Sequence, residues 1–470
     1  SEDDGGGGTA DSPAGQTNVW RTVLFLSFRN GGSGMVALDV TNPCKPEFLW
    51  QFTDADLGAA YGQPTAAQIF VEDSDPTPLG GSGGPITFKP RQSRGVILLP
   101  GGQGVEDAGA SPCTIASGPQ LPEGVDTANA VDIAPRTQRR CWRGTSSSPP
   151  ATPKGRALYF IDLITGTTIQ KLDENTFPAP LNGAISVFRG DTGTVGSVAY
   201  TLDADGVIWR VDMSSADPED WNAQALHDMY HGAAYDEAEP SYYPPALTVD
   251  PAGNLVILVG TGNIDVLDDA SAKNRVVSIT EKLTYDANGF LDILEGRLNW
   301  EIELDPGEQM TGAIELFGGQ VYFGTFKAGG GTAIDACPFG GSRVFGLRYL
   351  DDPDNPGDPL PLLKDALDND TTNLDGTDLP ALQNSLLVGL QIAQQPVCTT
   401  TQDVNLTDPF TGTSLTIAMP FSSSGRAFKL MGHLSGSGAG VGGLSINILE
   451  ETITAPEGFT IISGMGESVE

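Results

Sequence analysis

The sequence predicts an all-β fold of the propeller type, and three observations predict it. The 60 glycines and 34 prolines make up a fifth of the 470 residues, yet 39% of the chain is hydrophobic. Turn formers at that density among so many apolar residues exclude a helical bundle and wholesale disorder alike. From Val19 onward, short runs rich in Val, Ile, Phe and Tyr alternate with Gly, Pro, Asn and Asp turns. Almost no segment holds a helical period over ten residues. Finally, a local form repeats: a strand ending in Asp, a Thr, Pro or Gly turn, then a second strand, as in VALDVTNPCKPEFLW, YFIDLITGTTIQKL and WRVDMSSADPEDW. Imperfectly repeated hairpins are the mark of propeller blades, which bury their faces only against one another.

The elements follow in order. Residues 1–18 form an acidic, Gly-rich linker without the charged and apolar regions of a signal peptide, so the chain reads as a fragment or mature form. Residues 19–470 read as a single propeller domain. Strands are expected at RTVLFLSF (21–28), GMVALDV (34–40), GVILLP (95–100), ALYFIDL (157–163) and SVAYTLD (197–203). GVIWRVDM (206–213), NLVILVG (254–260), QVYFGTF (320–326) and RVFGLRYL (343–350) continue the series. The irregular spacing implies insertions, best placed at 72–94, 106–154 and 351–378. Short helices are expected within 215–240 and 378–395.

Sixty acidic against 25 basic residues leave a net charge of −35. Such a field repels nucleic-acid phosphates and anionic lipid, while its carboxylates could hold calcium. The most hydrophobic stretch, Leu255 to Val266, is broken by Gly260, Gly262 and Asp265, so no span crosses a membrane. Cys44, Cys113, Cys141, Cys337 and Cys398 lack CxxC spacing, which argues for disulfides in an oxidising compartment rather than structural zinc. A crosslink from Cys113 to Cys141 would restrain one irregular insertion, with Cys337 to Cys398 as a second pair and Cys44 left over.

VWRTVLFLSFRNGGSGMVALDVTNPCKPEFLWQF (19–52), LGAAYGQP (57–64), AYTLDADGVIWRVDMS (199–214), PPALTVDPAGNLVILVGTGN (244–263) and GEQMTGAIELFGGQVYFGTF (307–326) occur in this order. In them the chain resembles the C-terminal domain of the PilY family, proteins of type IV pilus biogenesis and tip adhesion, from about Trp20 to Leu350. The resemblance implies a modified seven-bladed propeller shaped like the quinoprotein dehydrogenases. It implies minor pilins as partners, with surface or cell-surface ligands beyond them, and a place outside the cell at the pilus tip, in adhesion and twitching motility.

The family resemblance also places a calcium loop before Tyr200, where this chain offers Arg189, Asp191, Gly193 and Ser197. One carboxylate facing a cation is a poor substitute for the six to eight oxygens calcium takes, and the site is expected to be empty. Arg189-Gly190-Asp191 also spells the tripeptide that integrins recognise, although a Gly- and Asp-rich chain forms it readily by chance. Asp368, Asp370 and Asp375 in DNDTTNLDG resemble a degenerate calcium loop without its closing Glu, and a solvated acidic insertion is the plainer reading.

Asp203-Ala204-Asp205-Gly206 reads as a hairpin turn. His227 and His231, at i and i+4, would share a helix face as zinc ligands do, but His433 is the only other histidine. Gly80-Gly81-Ser82-Gly83-Gly84 fits GxSxG without the surrounding strand-to-helix turn of a nucleophile elbow. No phosphate-binding GxxxxGK[ST] occurs.

Two functions compete. One is a non-enzymatic pilus protein whose long loops contact pilins or surfaces. The other is a periplasmic quinoprotein-like dehydrogenase, against which stands the absence of the adjacent cysteines such enzymes usually place beside their cofactor.

Overall fold

The computed structural model describes residues 20–72, 77–79, 86–88, 91–103, 154–189, 195–231, 238–264, 267–285, 291–329 and 340–361, and five further strands between 386 and 453. β1 (Val23–Ser27), β2 (Met35–Asp39) and β3 (Glu47–Phe52) form the first antiparallel sheet. In the second, β4 (Thr65–Glu72) is followed by the small hairpin β5 (Thr77–Leu79) and β6 (Ile86–Phe88), then by β7 (Arg91–Pro100), β8 (Leu158–Asp162) and β9 (Thr168–Leu172), in the order β4-β7-β8-β9. The third is β10 (Ser186–Phe188), β11 (Val198–Leu202), β12 (Val207–Asp212) and β13 (Asn222–Asp228). The fourth is β14 (Ala246–Val249), β15 (Leu255–Gly260), β16 (Arg275–Tyr285) and β17 (Leu291–Glu303).

In the fifth, β18 (Glu308–Met310) and β19 (Glu315–Phe317) both pair with β20 (Gln320–Lys327), which leads to β21 (Gly341–Asp351) and β22 (Pro359–Pro361). The sixth joins β23 (Leu386–Gln394) to later strands, across the separate hairpin of β24 (Thr399–Thr407) and β25 (Ser414–Ser422). Its other strands are β26 (Phe428–Ser435) and β27 (Asn447–Ile453).

The cores show why these meanders form a propeller. Central strands are apolar on both faces and send alternate side chains to opposite neighbours, since successive residues of a strand point to opposite sides. In β7, Ile97 and Leu99 pack with Met35, Trp50 and Phe52 of the first sheet. Val96 and Leu98 pack instead with Val207, Trp209 and Val211 of the third. Ile257 joins the third sheet's Tyr200 and Ile208, while Val256 and Leu258 join the fifth sheet's Phe323 and Phe345. One apolar layer thus lies between each successive pair from the first sheet to the fifth, as expected of an all-β propeller. The first sheet's other face carries Leu24 and Leu26 partly exposed and Phe48 63% exposed.

The repeated Asp turns dock one sheet on the next. Asp162 Oδ1 accepts hydrogen bonds from the Ile164 and Thr165 amides and the Thr165 hydroxyl. The turn closes at Gly166, whose φ of +73° suits glycine. A Cβ there would meet the Trp50 ring at 2.6 Å, and Trp50 Nε1 donates to Leu163 O at 3.1 Å. Trp300 repeats the device from the fourth sheet to the fifth, donating to Arg348 O at 3.0 Å. The DADG segment is the hairpin its residues predict: Asp203 Oδ1 accepts from the amides of Asp205 and Val207, and Oδ2 from Trp209 Nε1.

The helices expected within 215–240 and 378–395 are corrected. Only the 3-10 turn Pro218–Asp220 is helical among the described residues of these ranges. Asn222–Asp228 is the outer strand β13 and Leu386–Gln394 is β23. His227 consequently lies opposite Ile208 on a strand, and the helix face it was to share with His231 does not exist.

Candidate functional site

In each four-stranded meander, the loop between the second and third strands and the loop leading into the next sheet emerge at the same end, because the strands are antiparallel. Loops from neighbouring sheets interlock there through backbone hydrogen bonds: Gly102 N to Leu181 O and Ala204 N to Pro180 O at 2.9 Å, Gly262 N to Pro240 O at 2.8 Å, and Met310 N to Thr261 O at 3.2 Å. The approach is close enough to exclude side chains. A Cβ on Gly62 would stand 2.7 Å from Gly183 O, which is why LGAAYGQP needs its second glycine.

Near the innermost strands this end gathers polar and aromatic residues from four sheets. Tyr61 and Tyr242 meet edge-on with ring centroids 5.3 Å apart. Asn182 Nδ2 donates to Tyr242 Oη at 3.4 Å, and Tyr242 Oη donates to Asn263 Oδ1 at 3.5 Å. All four residues are buried. The exposed Arg29 sets its guanidinium 5.3 Å above the Tyr61 ring, a cation–π contact. Burial pushes the Tyr243 hydroxyl pKa up, and the nearby Arg29 charge pulls it back in part. Arg29 is thus the exposed charge of this cluster, standing over hydroxyls and amides that are themselves buried.

The sequence-predicted site residues lie elsewhere. Arg189 follows β10, exposed, and Ser197 precedes β11, half-buried. They flank a connection between first and second strands, at the end of the sheet opposite the interlocked loops. Gly190, Asp191 and Gly193 of that loop lie outside the described residues, as do Gly80 to Gly84, Asp368, Asp370, Asp375, Cys113, Cys141, Cys337 and Cys398. Cys44 is exposed and forms no disulfide among the described residues. Burial and the neighbouring His231 lower the His227 pKa to about 4, so its imidazole is neutral at pH 7. His433 lies on β26. No group of three or more His, Cys, Asp or Glu poised for a metal ion occurs among the described residues, and no helix there is long and apolar enough to cross a membrane.

Sequence reasoning singled out none of Arg29, Tyr61, Asn182, Tyr242 and Asn263. The available signal was that Arg29, Tyr61, Tyr242 and Asn263 lie in or beside the segments 19–52, 57–64 and 244–263, whose glycines let the loops interlock; Asn182 lies in none of them.

No family model matches the chain. Against curated proteins it is 24% identical over 282 residues to the type IV pilus biogenesis factor PilY1 of Pseudomonas aeruginosa (strain UCBPP-PA14), covering 54% of this chain and 19% of the relative. It is 40% identical over 58 residues to the PilY1 homolog of Xylella fastidiosa (strain Temecula1), covering 12% of this chain and 5% of the relative. The chain therefore spans less than a fifth of the length of these relatives. Among solved structures, the Pseudomonas aeruginosa PilY1 C-terminal domain aligns with a TM-score of 0.43 at 17% identity, over 70% of this chain and 68% of that one. BamB from Moraxella catarrhalis aligns with a TM-score of 0.23 at 10% identity, over 64% and 69% of the two chains. By its sequence matches this chain is a relative of the PilY type IV pilus biogenesis factors.

Proposed function

We propose that this chain is a non-enzymatic component of type IV pilus biogenesis, acting outside the cell at the pilus tip. Its propeller serves as a rigid scaffold whose loops bind minor pilins and support surface adhesion and motility. The observation that carries this reading is the 282-residue match to PilY1, a biogenesis factor by name. The interlocked loop end supports it physically, because binding residues on loops fixed by a rigid scaffold can engage a partner without ordering cost. The dehydrogenase alternative has less support, since none of the five cysteines adjoins another.

Deleting the gene in its own organism is expected to remove surface pili and twitching, and the intact gene is expected to restore both. Normal piliation in the deletion strain would overturn the proposal.

A further inference from the structure

Sheets two to five each begin with an inner strand that pairs with the second strand: β4 with β7, β10 with β11, β14 with β15, and both β18 and β19 with β20. The first sheet has no such strand among the described residues. Its β1 stands in the second position, because the loop after β1 bonds to the loop entering the next sheet, Arg29 N to Ala60 O at 3.2 Å, as the loop after β7 does from Gly102 N to Leu181 O. Val40 N donates to Thr22 O and Phe28 N to Gly34 O, so alternation turns the backbone groups of Leu24 and Leu26 toward β2. Those of Val23, Phe25 and Ser27 face the open edge. Beside that edge Leu24 and Leu26 are 42% and 43% exposed on one face, and Trp20 and Phe28 are exposed at the two ends of the strand. An unpaired edge bordered by apolar side chains is a template for a further strand.

We infer that β1 takes up an extended apolar strand donated by another protein, which pairs along Val23–Ser27 in the inner position and lies against Leu24 and Leu26. Residues 1–18, ahead of β1, contain no Val, Ile, Leu, Met, Phe, Tyr or Trp, so they have no side chains suited to an inner strand. A second copy is a poor donor, since two chains of net charge −35 repel each other. The first sheet itself is not acidic: Arg21, Arg29 and Lys45 outnumber Asp39 and Glu47 within residues 19–52. A neutral or singly acidic strand therefore reaches this edge without local repulsion. The inference does not rest on the pilin-binding proposal.

The probe is a capped, fluorescently labelled peptide of residues 311–319, TGAIELFGG, which carries the inner strand β19 and a single Glu. Titrated with the whole chain, its anisotropy is expected to rise to saturation. The same peptide with Leu316→Pro loses an amide and the extended pairing, and is expected to bind at least about tenfold more weakly. In the chain, Leu24→Ser/Leu26→Ser removes the apolar neighbours from exposed positions and is expected to weaken the intact peptide about tenfold, with the circular dichroism of the parent. Hydrogen exchange read by mass spectrometry is expected to be rapid at the edge-facing amides of Val23–Ser27 in the free chain and slowed when the peptide saturates it. Absence of binding, equal binding of the proline peptide, or unchanged affinity of the double variant would each overturn the inference. Protection along β1 in the free chain as complete as along β7 would overturn it too, by showing that the chain itself or a second copy already holds the edge.

Discussion

Replacing Arg210 by Met is expected to destabilise the fold by about 3 to 5 kcal/mol, because it strands a buried carboxylate between two sheets. Arg210 on β12 donates through Nε to Glu281 Oε1 on β16 at 2.7 Å, and through Nη1 to Asp212 Oδ2 at 2.7 Å. The side chains of Arg210 and Glu281 are only 8% and 7% exposed, so solvent screens the pair weakly. Tyr200 Oη donates to the same Glu281 oxygen, which with burial drives the tyrosine pKa upward. Once the guanidinium is gone, Glu281 keeps one neutral donor for a full charge. The double variant Arg210→Met/Glu281→Leu is expected to recover most of the loss, since an apolar pair in place of a buried ion pair is often neutral. Urea unfolding of both variants measures this, and a single variant within 1 kcal/mol of the parent would refute it (about 3 to 5 expected).

Trp300→Ala is expected to cost a further about 3 to 5 kcal/mol on its own, the range for emptying a buried aromatic site. Trp300 is 0% exposed and fills the layer between the fourth and fifth sheets with Val321, Phe323 and Phe345. Its indole also satisfies Arg348 O. Trp300→Phe keeps most of the ring and loses the hydrogen bond, so it should cost about 1 to 3 kcal/mol. If the two substitutions proved equal in denaturant unfolding, packing would not be the main contribution of this residue.

The strands were legible where a physical constraint left a one-dimensional trace. LYFID and LVILVG are buried on both faces, and each run of continuous apolar residues between turn formers coincides with β8 or β15. The turns at Asp162 and Asp203 were legible because a side-chain carboxylate and a downstream glycine close them locally. The misreadings lie where local preference competes with pairing. NAQALHD carries good helix formers, but it becomes a strand because β12 presents an edge that it pairs from Val207 to Asp212. LLVGLQIAQ has a run that suits a buried helix or strand equally, and its pairing with β26 decides the outcome.

The candidate site was the least legible part. Arg29, Tyr61, Asn182, Tyr242 and Asn263 are spread over more than 200 positions, each at a loop tip where periodicity says nothing. Only the order of the sheets brings them together. The resemblance of 57–64 and 244–263 to a known family marked those loops without saying why their glycines matter; the close backbone approach at Gly62 and Gly262 supplies the reason.

The most direct measurement is binding of the purified chain to the purified minor pilins of its own organism. At physiological salt, surface plasmon resonance should give saturable binding to at least one of them, unaffected by pyrroloquinoline quinone, with no dye reduction when that cofactor, calcium and an alcohol are added. Cofactor-dependent dye reduction without binding to any minor pilin would contradict the account and favour the dehydrogenase.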